Sequence, residues 1–129
     1  MTAAERGKNR PRGTVLVVED EPLIRLDLAD HLRSAGLAVV EASTGDEALT
    51  VLNANDAVVL VVSDMGMPGA TDGIELAAWL RRERPKIKIV LVSGFSATLD
   101  MTAIADVALG KPVDLSRLVH EVGRLLGGQ

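Results

Sequence analysis

The sequence of 129 residues contains no cysteine, which excludes disulfide bonds, thiolate metal sites and cysteine nucleophiles. Aromatic side chains are nearly absent, because there is no tyrosine and Trp79 and Phe95 each stand alone. Such a chain has no stacking platform for single-stranded nucleic acid. The core must therefore be aliphatic, and a metal ion would need oxygen or histidine ligands.

Long hydrophobic runs are missing as well. The longest, Ala57 to Val62, is far shorter than the roughly 18 residues that cross a bilayer, and the N-terminus has no signal-peptide core. Hydrophobic residues still make up 47% of the chain and charged residues 25%, which is typical of a folded soluble domain. We expect a cytoplasmic protein that does not contact the membrane.

The net charge of -4 is unevenly distributed, since residues 1–13 carry +3 and the remainder carries -7. A short basic run is more typical of a solvated terminus than of a nucleic-acid-binding arm. We predict a flexible tail over residues 1–13 and a single domain over residues 14–126. At this length we expect no second folded domain.

Short β-branched runs alternate with amphipathic segments after Gly13. The runs predict five strands, at Thr14–Val18, Leu37–Ala42, Ala57–Ser63, Lys88–Val92 and Val107–Leu109. Helices are predicted at Pro22–Ala35, Thr44–Asn53, Asp72–Arg84, Ala97–Ala105 and Asp114–Leu126, with capping boxes from Thr44 to Glu47 and from Asp72 to Glu75. This alternation predicts an α/β fold with a doubly wound parallel sheet, whose ligands bind beyond the carboxyl ends of the strands.

Polar side chains follow four of the predicted strands. They are Glu19 and Asp20 after the first, Asp64 after the third, Ser93 after the fourth and Lys111 after the fifth. Each alone is more typical of a cap, a turn or the surface. If the strand order is 2-1-3-4-5, however, these four strands are neighbours and their ends meet at one edge of the sheet. The set then forms a compact ionic pocket.

Carboxylates gathered in one pocket repel one another, so the pocket needs a compensating cation. Lys111 offsets one charge, and oxygen ligands favour a hard divalent ion. We expect Mg²⁺ rather than Ca²⁺, because the sequence lacks the spacing of a calcium-binding loop. A carboxylate beside Mg²⁺, a hydroxyl and an ammonium group can attack a phosphoryl group, which makes Asp64 the central candidate.

Four motifs carry a resemblance to a known family. They are Val15-Leu16-Val17-Val18-Glu19-Asp20-Glu21, then Ser63-Asp64-Met65-Gly66-Met67-Pro68 with Asp72-Gly73, then Val90-Leu91-Val92-Ser93-Gly94, and finally Lys111-Pro112. Over residues 14–126 the chain resembles the receiver domain of two-component response regulators. This resemblance implies the flavodoxin-like receiver fold, a five-stranded parallel sheet of order 2-1-3-4-5 in a single domain.

The resemblance also implies a role for each polar residue of the pocket. Asp64 would be the phosphoacceptor, and Mg²⁺ would bind Asp20, Asp64 and the backbone carbonyl of Gly66. Glu19, the other member of the acidic pair, would reach the metal through a water molecule. Ser93 would be the switch hydroxyl, and Lys111 would pair with Asp64 and then with the phosphoryl group. The bond before Pro112 would be cis, which is otherwise rare.

The chain departs from the family pattern at three places. Ala108 stands three residues before Lys111, where the family usually has Tyr or Phe, so the aromatic part of the switch cannot operate in its usual form. The loop Pro68–Gly73 is one residue longer than usual. The stretch between Ser93 and Lys111 is several residues shorter, which predicts a reduced or irregular fourth helix. Phe95 is more typical of a packing residue than of a substitute for the aromatic switch.

The leading hypothesis is a receiver phosphorylated on Asp64 by a sensor histidine kinase or a phosphotransfer protein, with output through a downstream protein partner. We expect no direct nucleic-acid contact, and the absence of a nucleotide-binding glycine loop disfavours direct use of ATP. The alternative is a phosphorylation-independent adaptor, which Ala108 and the shortened segment suggest. A phosphatase-type enzyme is disfavoured because Gly66 stands where a second aspartate is needed, so we expect no turnover of an external substrate.

Overall fold

Strands and helices alternate along residues 13–66, 72–94 and 104–127, which are the residues described by the computed structural model. The strands are β1 (Thr14–Val18), β2 (Ala38–Ala42), β3 (Val58–Asp64), β4 (Lys88–Ser93) and β5 (Val107–Gly110). The helices are α1 (Pro22–Ser34), α2 (Gly45–Ala54), α3 (Gly73–Glu83) and α4 (Leu115–Leu125). Among the described residues, no helix has the length and apolarity that a membrane span requires.

Some predictions concern residues outside these ranges. They are the basic tail up to residue 12, the longer loop at residues 68–71, the packing of Phe95, and residues 97–103 of the predicted short helix. Of that helix, Ile104 and Ala105 are described: Ile104 is helical, whereas Ala105 lies outside the helix, so the predicted end is one residue too far.

The five strands form one parallel sheet in the order β2-β1-β3-β4-β5. This confirms the predicted α/β fold and its strand order. The register aligns the strand ends: Val18 pairs with Ser63, Asp64 with Val92, and Ser93 with Gly110. The residues that follow β1, β3, β4 and β5 therefore reach the same edge of the sheet.

Two of the described helices pack on each face of the sheet. On one face Leu16 and Leu91 pack with buried residues of α2 and α3. On the other face Val17 and Val90 pack with buried residues of α1 and α4. Burial on both faces explains why the strands are nearly continuous apolar runs. The core is aliphatic as expected, with about 1.5–3 kcal/mol gained for each fully buried large aliphatic side chain.

An oxygen acceptor begins each of the four helices. The N-caps are Glu21, Thr44, Asp72 and Asp114. The capping box from Asp72 to Glu75 is complete, as predicted. Thr44 accepts from the Glu47 amide at 3.0 Å, but Glu47 Oε1 accepts from the amide of Ser43 at 2.7 Å rather than from that of Thr44. The reciprocal bond of the predicted box is thus displaced by one residue, onto the turn before the cap.

Candidate functional site

The polar residues that follow the strands come together at the carboxyl edge of the sheet. Glu19 is anchored just past β1, where its amide donates to Ala42 O at 3.1 Å. Lys111 is anchored just past β5, where its amide donates to Ser93 O at 2.8 Å. These backbone bonds extend the parallel ladders by one residue and direct both side chains over the end of β3, where Asp64 lies.

Asp64 is the last residue of β3 and is 8% exposed. Its Oδ2 accepts a hydrogen bond from Lys111 Nζ at 3.1 Å, and its Oδ1 accepts one from the Gly66 amide at 3.2 Å. Lys111 thus reaches across β4 to Asp64, as the sequence predicted. Since both carboxylate oxygens accept hydrogen bonds, the orientation of the Asp64 carboxylate is fixed.

An acidic cluster surrounds this contact. Glu19, Asp20 and Asp64 each offer one carboxylate oxygen, and these three atoms lie within 4.8 Å of one another. Asp20 is exposed, whereas Glu19 is buried. Among the described residues, only oxygen ligands line this cluster, which is the donor set that suits a hard divalent cation such as Mg²⁺.

Glu19 is the most unfavourably placed charge in the cluster. Burial raises the pKa of Glu19 above its ordinary value; the hydrogen bond from the Glu21 amide opposes this rise, and the charge of Asp64 adds to it. Glu19 Oε1 lies 3.4 Å from Lys111 Nζ and accepts no hydrogen bond from the residues that the structure describes. A buried acceptor in this state is suited to a cation or to an ordered water molecule.

Lys111 supplies the positive charge that the structure places against the cluster. Burial alone would lower the pKa of Lys111, but its hydrogen bond to Asp64 and the charges of Asp64 and Glu19 raise it above the ordinary value. Lys111 therefore stays an ammonium group throughout the neutral range. The Lys111–Pro112 peptide bond is cis, as the resemblance implied.

Ser93 and Gly66 complete the set of predicted site residues. Ser93 ends β4 and is 4% exposed, one position past the residue that pairs with Asp64. Gly66 is exposed in the turn after β3 and approaches Asp64 through its amide. The structure therefore places all six predicted site residues at one edge of the sheet.

Ala108 occupies the middle of β5 opposite Leu91. It is partly buried and packs against the core cluster between the sheet and α2 and α3. The usual aromatic side chain is thus replaced by a methyl group at a position that contacts the core.

Sequence reasoning missed two residues next to the site. Arg25 Nη1 donates to the backbone carbonyl of Glu19 at 2.8 Å, and Arg25 Nε donates to Glu41 Oε1 at 3.3 Å. Arg25 lies in the first turns of α1 and Glu41 is the penultimate residue of β2. Their opposite charges at the ends of neighbouring elements were the available signal, but the contact of Arg25 with a carbonyl has no signature in the sequence.

Comparison with known proteins identifies the family and the fold. The profile of the response regulator receiver domain matches residues 15–123. The chain is 38% identical over 121 residues to the sensor kinase CckA of Brucella abortus, covering 90% of this chain and 13% of that protein. It is 35% identical over 120 residues to the transcriptional activator protein PfeR of Pseudomonas aeruginosa, covering 90% of this chain and 38% of that protein. The chain thus spans only a minor part of these relatives.

Two solved structures match this chain over most of their own length as well as most of its length. The response regulator protein TrrA of Thermotoga maritima, solved in complex with Mg²⁺ and beryllium fluoride, is 33% identical with a TM-score of 0.78, covering 88% of this chain and 98% of that one. The receiver domain of the Francisella response regulator 1452 is 27% identical with a TM-score of 0.81, covering 89% and 97%. The chain therefore belongs to the response regulator receiver domain family of two-component systems.

Proposed function

We propose that this receiver domain accepts a phosphoryl group on Asp64 from a histidine kinase or a phosphotransfer protein and signals by binding a protein partner. The observation that carries the proposal is the convergence of Glu19, Asp20, Asp64 and Lys111 at one strand edge, with Lys111 Nζ 3.1 Å from Asp64. Three clustered carboxylates repel one another and so destabilise the fold. Their presence at one site therefore favours a function that needs all three, such as binding a cation.

In the transfer step, a carboxylate oxygen of Asp64 attacks the phosphorus atom of a phosphohistidine. The new O–P bond forms as the N–P bond of the donor breaks, and the imidazole nitrogen leaves with the bonding electron pair and takes up a proton. Asp64 is suited to this role because donors at both oxygens hold its carboxylate at the end of β3. The product is an aspartyl phosphate, a mixed anhydride that retains the dianionic phosphoryl group.

The donor set of the acidic cluster fits Mg²⁺, and we assign its coordination to Asp20, Asp64 and the backbone carbonyl of Gly66, with Glu19 acting through a water molecule. When bound, Mg²⁺ offsets the negative charge of the phosphoryl oxygens and of the carboxylates. The buried Glu19 Oε1 supports this assignment, because it lies 3.4 Å from Lys111 Nζ but accepts no hydrogen bond from the described residues, which leaves an acceptor within the cluster. The TrrA structure in complex with Mg²⁺ and beryllium fluoride supports it by similarity.

After transfer, Lys111 and Ser93 are the side chains that would contact the phosphoryl group. Phosphorylation adds up to about two negative charges and several acceptor oxygens at this edge. The ammonium group of Lys111 follows β5 and the hydroxyl of Ser93 ends β4, so both can respond to the new charge. The response then reaches the surface at the carboxyl ends of β4 and β5, where we place the protein partner.

A second candidate is an adaptor that binds its partner without phosphorylation. The observation that favours it is Ala108, which removes the usual aromatic element from β5. The completeness of the acidic cluster and the Lys111–Asp64 hydrogen bond favour the phosphoacceptor, because an adaptor has no use for either.

Intact-protein mass spectrometry after incubation with Mg²⁺ and acetyl phosphate tests the proposal. We expect one phosphoryl adduct on the wild type, no adduct on Asp64→Asn, and loss of the adduct when EDTA replaces Mg²⁺. Asp56→Asn is the matched control, because Asp56 is an exposed aspartate in the turn before β3, at the opposite end of that strand. A wild-type protein that takes no adduct from acetyl phosphate or a phosphorylated kinase, yet still binds a partner, would establish the adaptor instead.

A further inference from the structure

The peptide that links Glu19 to Asp20 is held from neighbouring elements. The Glu19 amide donates to Ala42 O in β2 at 3.1 Å, and the Glu19 carbonyl accepts from Arg25 Nη1 at 2.8 Å. Asp20 follows directly and is exposed, and its side chain interacts with that of Glu19. The orientation of the peptide between them therefore contributes to how the Asp20 carboxylate meets Asp64.

Arg25 is itself fixed in place by Glu41. Its Nε donates to Glu41 Oε1 at 3.3 Å, and the two side chains are only 20% and 26% exposed. A planar guanidinium group can make both contacts at once in a fixed geometry, whereas an ammonium group cannot. Glu41 also accepts from Arg33 Nη2 at 3.0 Å, so the acceptor is held from a second side.

We propose that Arg25 is a positioning residue for the Mg²⁺ site: it orients the Glu19–Asp20 peptide through the Glu19 carbonyl. The inference rests on the proposed function, since it concerns the same acidic cluster. The positive charge of Arg25 does not itself favour Mg²⁺ binding, because a cation beside the cluster repels a divalent ion. Arg25 would instead support Mg²⁺ binding through its hydrogen bond to the Glu19 carbonyl. Groups that orient metal ligands in this way typically contribute about 10–100-fold to metal affinity.

Calorimetric titration of the full chain with Mg²⁺ separates a positioning role from a purely electrostatic one. Arg25→Lys keeps the charge and loses the double contact, and we expect about tenfold weaker Mg²⁺ binding. Arg25→Gln removes the repulsive charge, yet we expect its Mg²⁺ binding to weaken as well. The matched control is Arg33→Gln, which also loses an ion pair with Glu41 but does not touch Glu19, and here we expect a change of less than about twofold.

Three results with these variants would overturn the inference, and a fourth concerns the wild type. Arg25→Gln that binds Mg²⁺ as well as or better than the wild type would show that the contacts of Arg25 do not support the site. An unchanged affinity of Arg25→Lys would show that the double contact is not needed. An equal loss in Arg33→Gln would assign the effect to the α1–β2 ion pairs in general. If Arg25→Gln fails to fold in a Mg²⁺-free urea titration, Arg25→Lys decides the question.

Asp20→Asn separates this inference from the proposed function. Mg²⁺ binding by the wild type that is lost in Asp20→Asn supports the site whatever the Arg25 variants show. The fourth overturning result is a wild-type protein without saturable Mg²⁺ binding, which would remove the site and, with it, the role of Arg25.

Discussion

Glu19 and Lys111 show how single residues set the energetics of the site. Glu19 has a pKa raised first by burial, so the folded protein holds its proton more tightly than the unfolded chain does. Its ionisation therefore opposes folding once the pH exceeds the ordinary carboxylate value of 4.5. Lys111 has a raised pKa because its contacts with Asp64 and Glu19 outweigh the cost of burial, and its pairing stabilises the fold below its ordinary value of 10.5 as long as those carboxylates are ionised.

Replacing Glu19 by glutamine should stabilise the Mg²⁺-free protein at neutral pH. We expect a gain on the order of 1 kcal/mol in the free energy of unfolding, because the amide keeps an acceptor for the Glu21 amide and removes the buried charge. The difference in the free energy of unfolding between the variant and the wild type should be absent below pH 4.5. It should increase as the pH rises from 4.5 through the raised pKa of Glu19 and stay constant above that pKa. Urea titrations at acid and neutral pH measure it, and a less stable Glu19→Gln at neutral pH would contradict the argument.

Removing the Lys111 side chain should uncouple phosphorylation from its structural response. We expect Lys111→Ala to stay folded, because Lys111 lies at the carboxyl edge of the sheet and belongs to neither core cluster. Phosphorylation should then cause smaller backbone amide shifts in β5 and α4 than it does in the wild type, measured by NMR. Lys86→Ala, at an exposed lysine in the turn before β4, is the control. Equal shifts in Lys111→Ala and the wild type would assign the response to another group.

Helix α3 begins in close contact with the backbone of Asp64. A Cβ atom at Gly73, the first residue of α3, would overlap the Asp64 carbonyl oxygen and crowd the backbone of Met65. The helix can therefore begin directly behind β3 only because this residue is glycine.

Two glycine-to-alanine substitutions test this contact with opposite signs. Gly73→Ala should destabilise the protein by about 1–3 kcal/mol, because the overpacked start of α3 must move away from β3. Gly123→Ala in α4 meets open space and should stabilise the protein by about 0.5–1 kcal/mol through helix propensity. Thermal unfolding of the two variants beside the wild type gives both values. A neutral or stabilising Gly73→Ala would show that α3 is not held against Asp64.

The elements were largely predictable from the sequence because their signals are local. β1 agrees at both ends, and the short Val107–Leu109 run is a strand that extends to Gly110. Helix boundaries differ by one residue at most ends, since capping residues such as Thr44 and Asp114 lie outside the helices that they begin. The bond from Ser43 to Glu47 escaped prediction because the geometry of a turn decides between neighbouring amides.

For the whole molecule, strand order decides whether there is a site. The βαβ alternation predicted parallel strands, but the order came from the resemblance, because alternation alone permits several windings. Once the order is fixed, Asp20, Asp64 and Lys111 must meet, which is why the site residues were predictable. The contact from Arg25 to the Glu19 carbonyl was not, because a bond to a backbone atom leaves no pattern of residue types.

The central claim is that the Asp64 carboxylate itself becomes phosphorylated, and chemical trapping tests it most directly. Neutral hydroxylamine cleaves an acyl phosphate to a hydroxamate but leaves a phosphoserine intact. After phosphorylation with acetyl phosphate and Mg²⁺, hydroxylamine treatment and proteolysis, peptide mass spectrometry should find the hydroxamate on Asp64 alone. A phosphoryl group that survives hydroxylamine, or a hydroxamate on Asp20 or Glu19 in place of Asp64, would contradict the account.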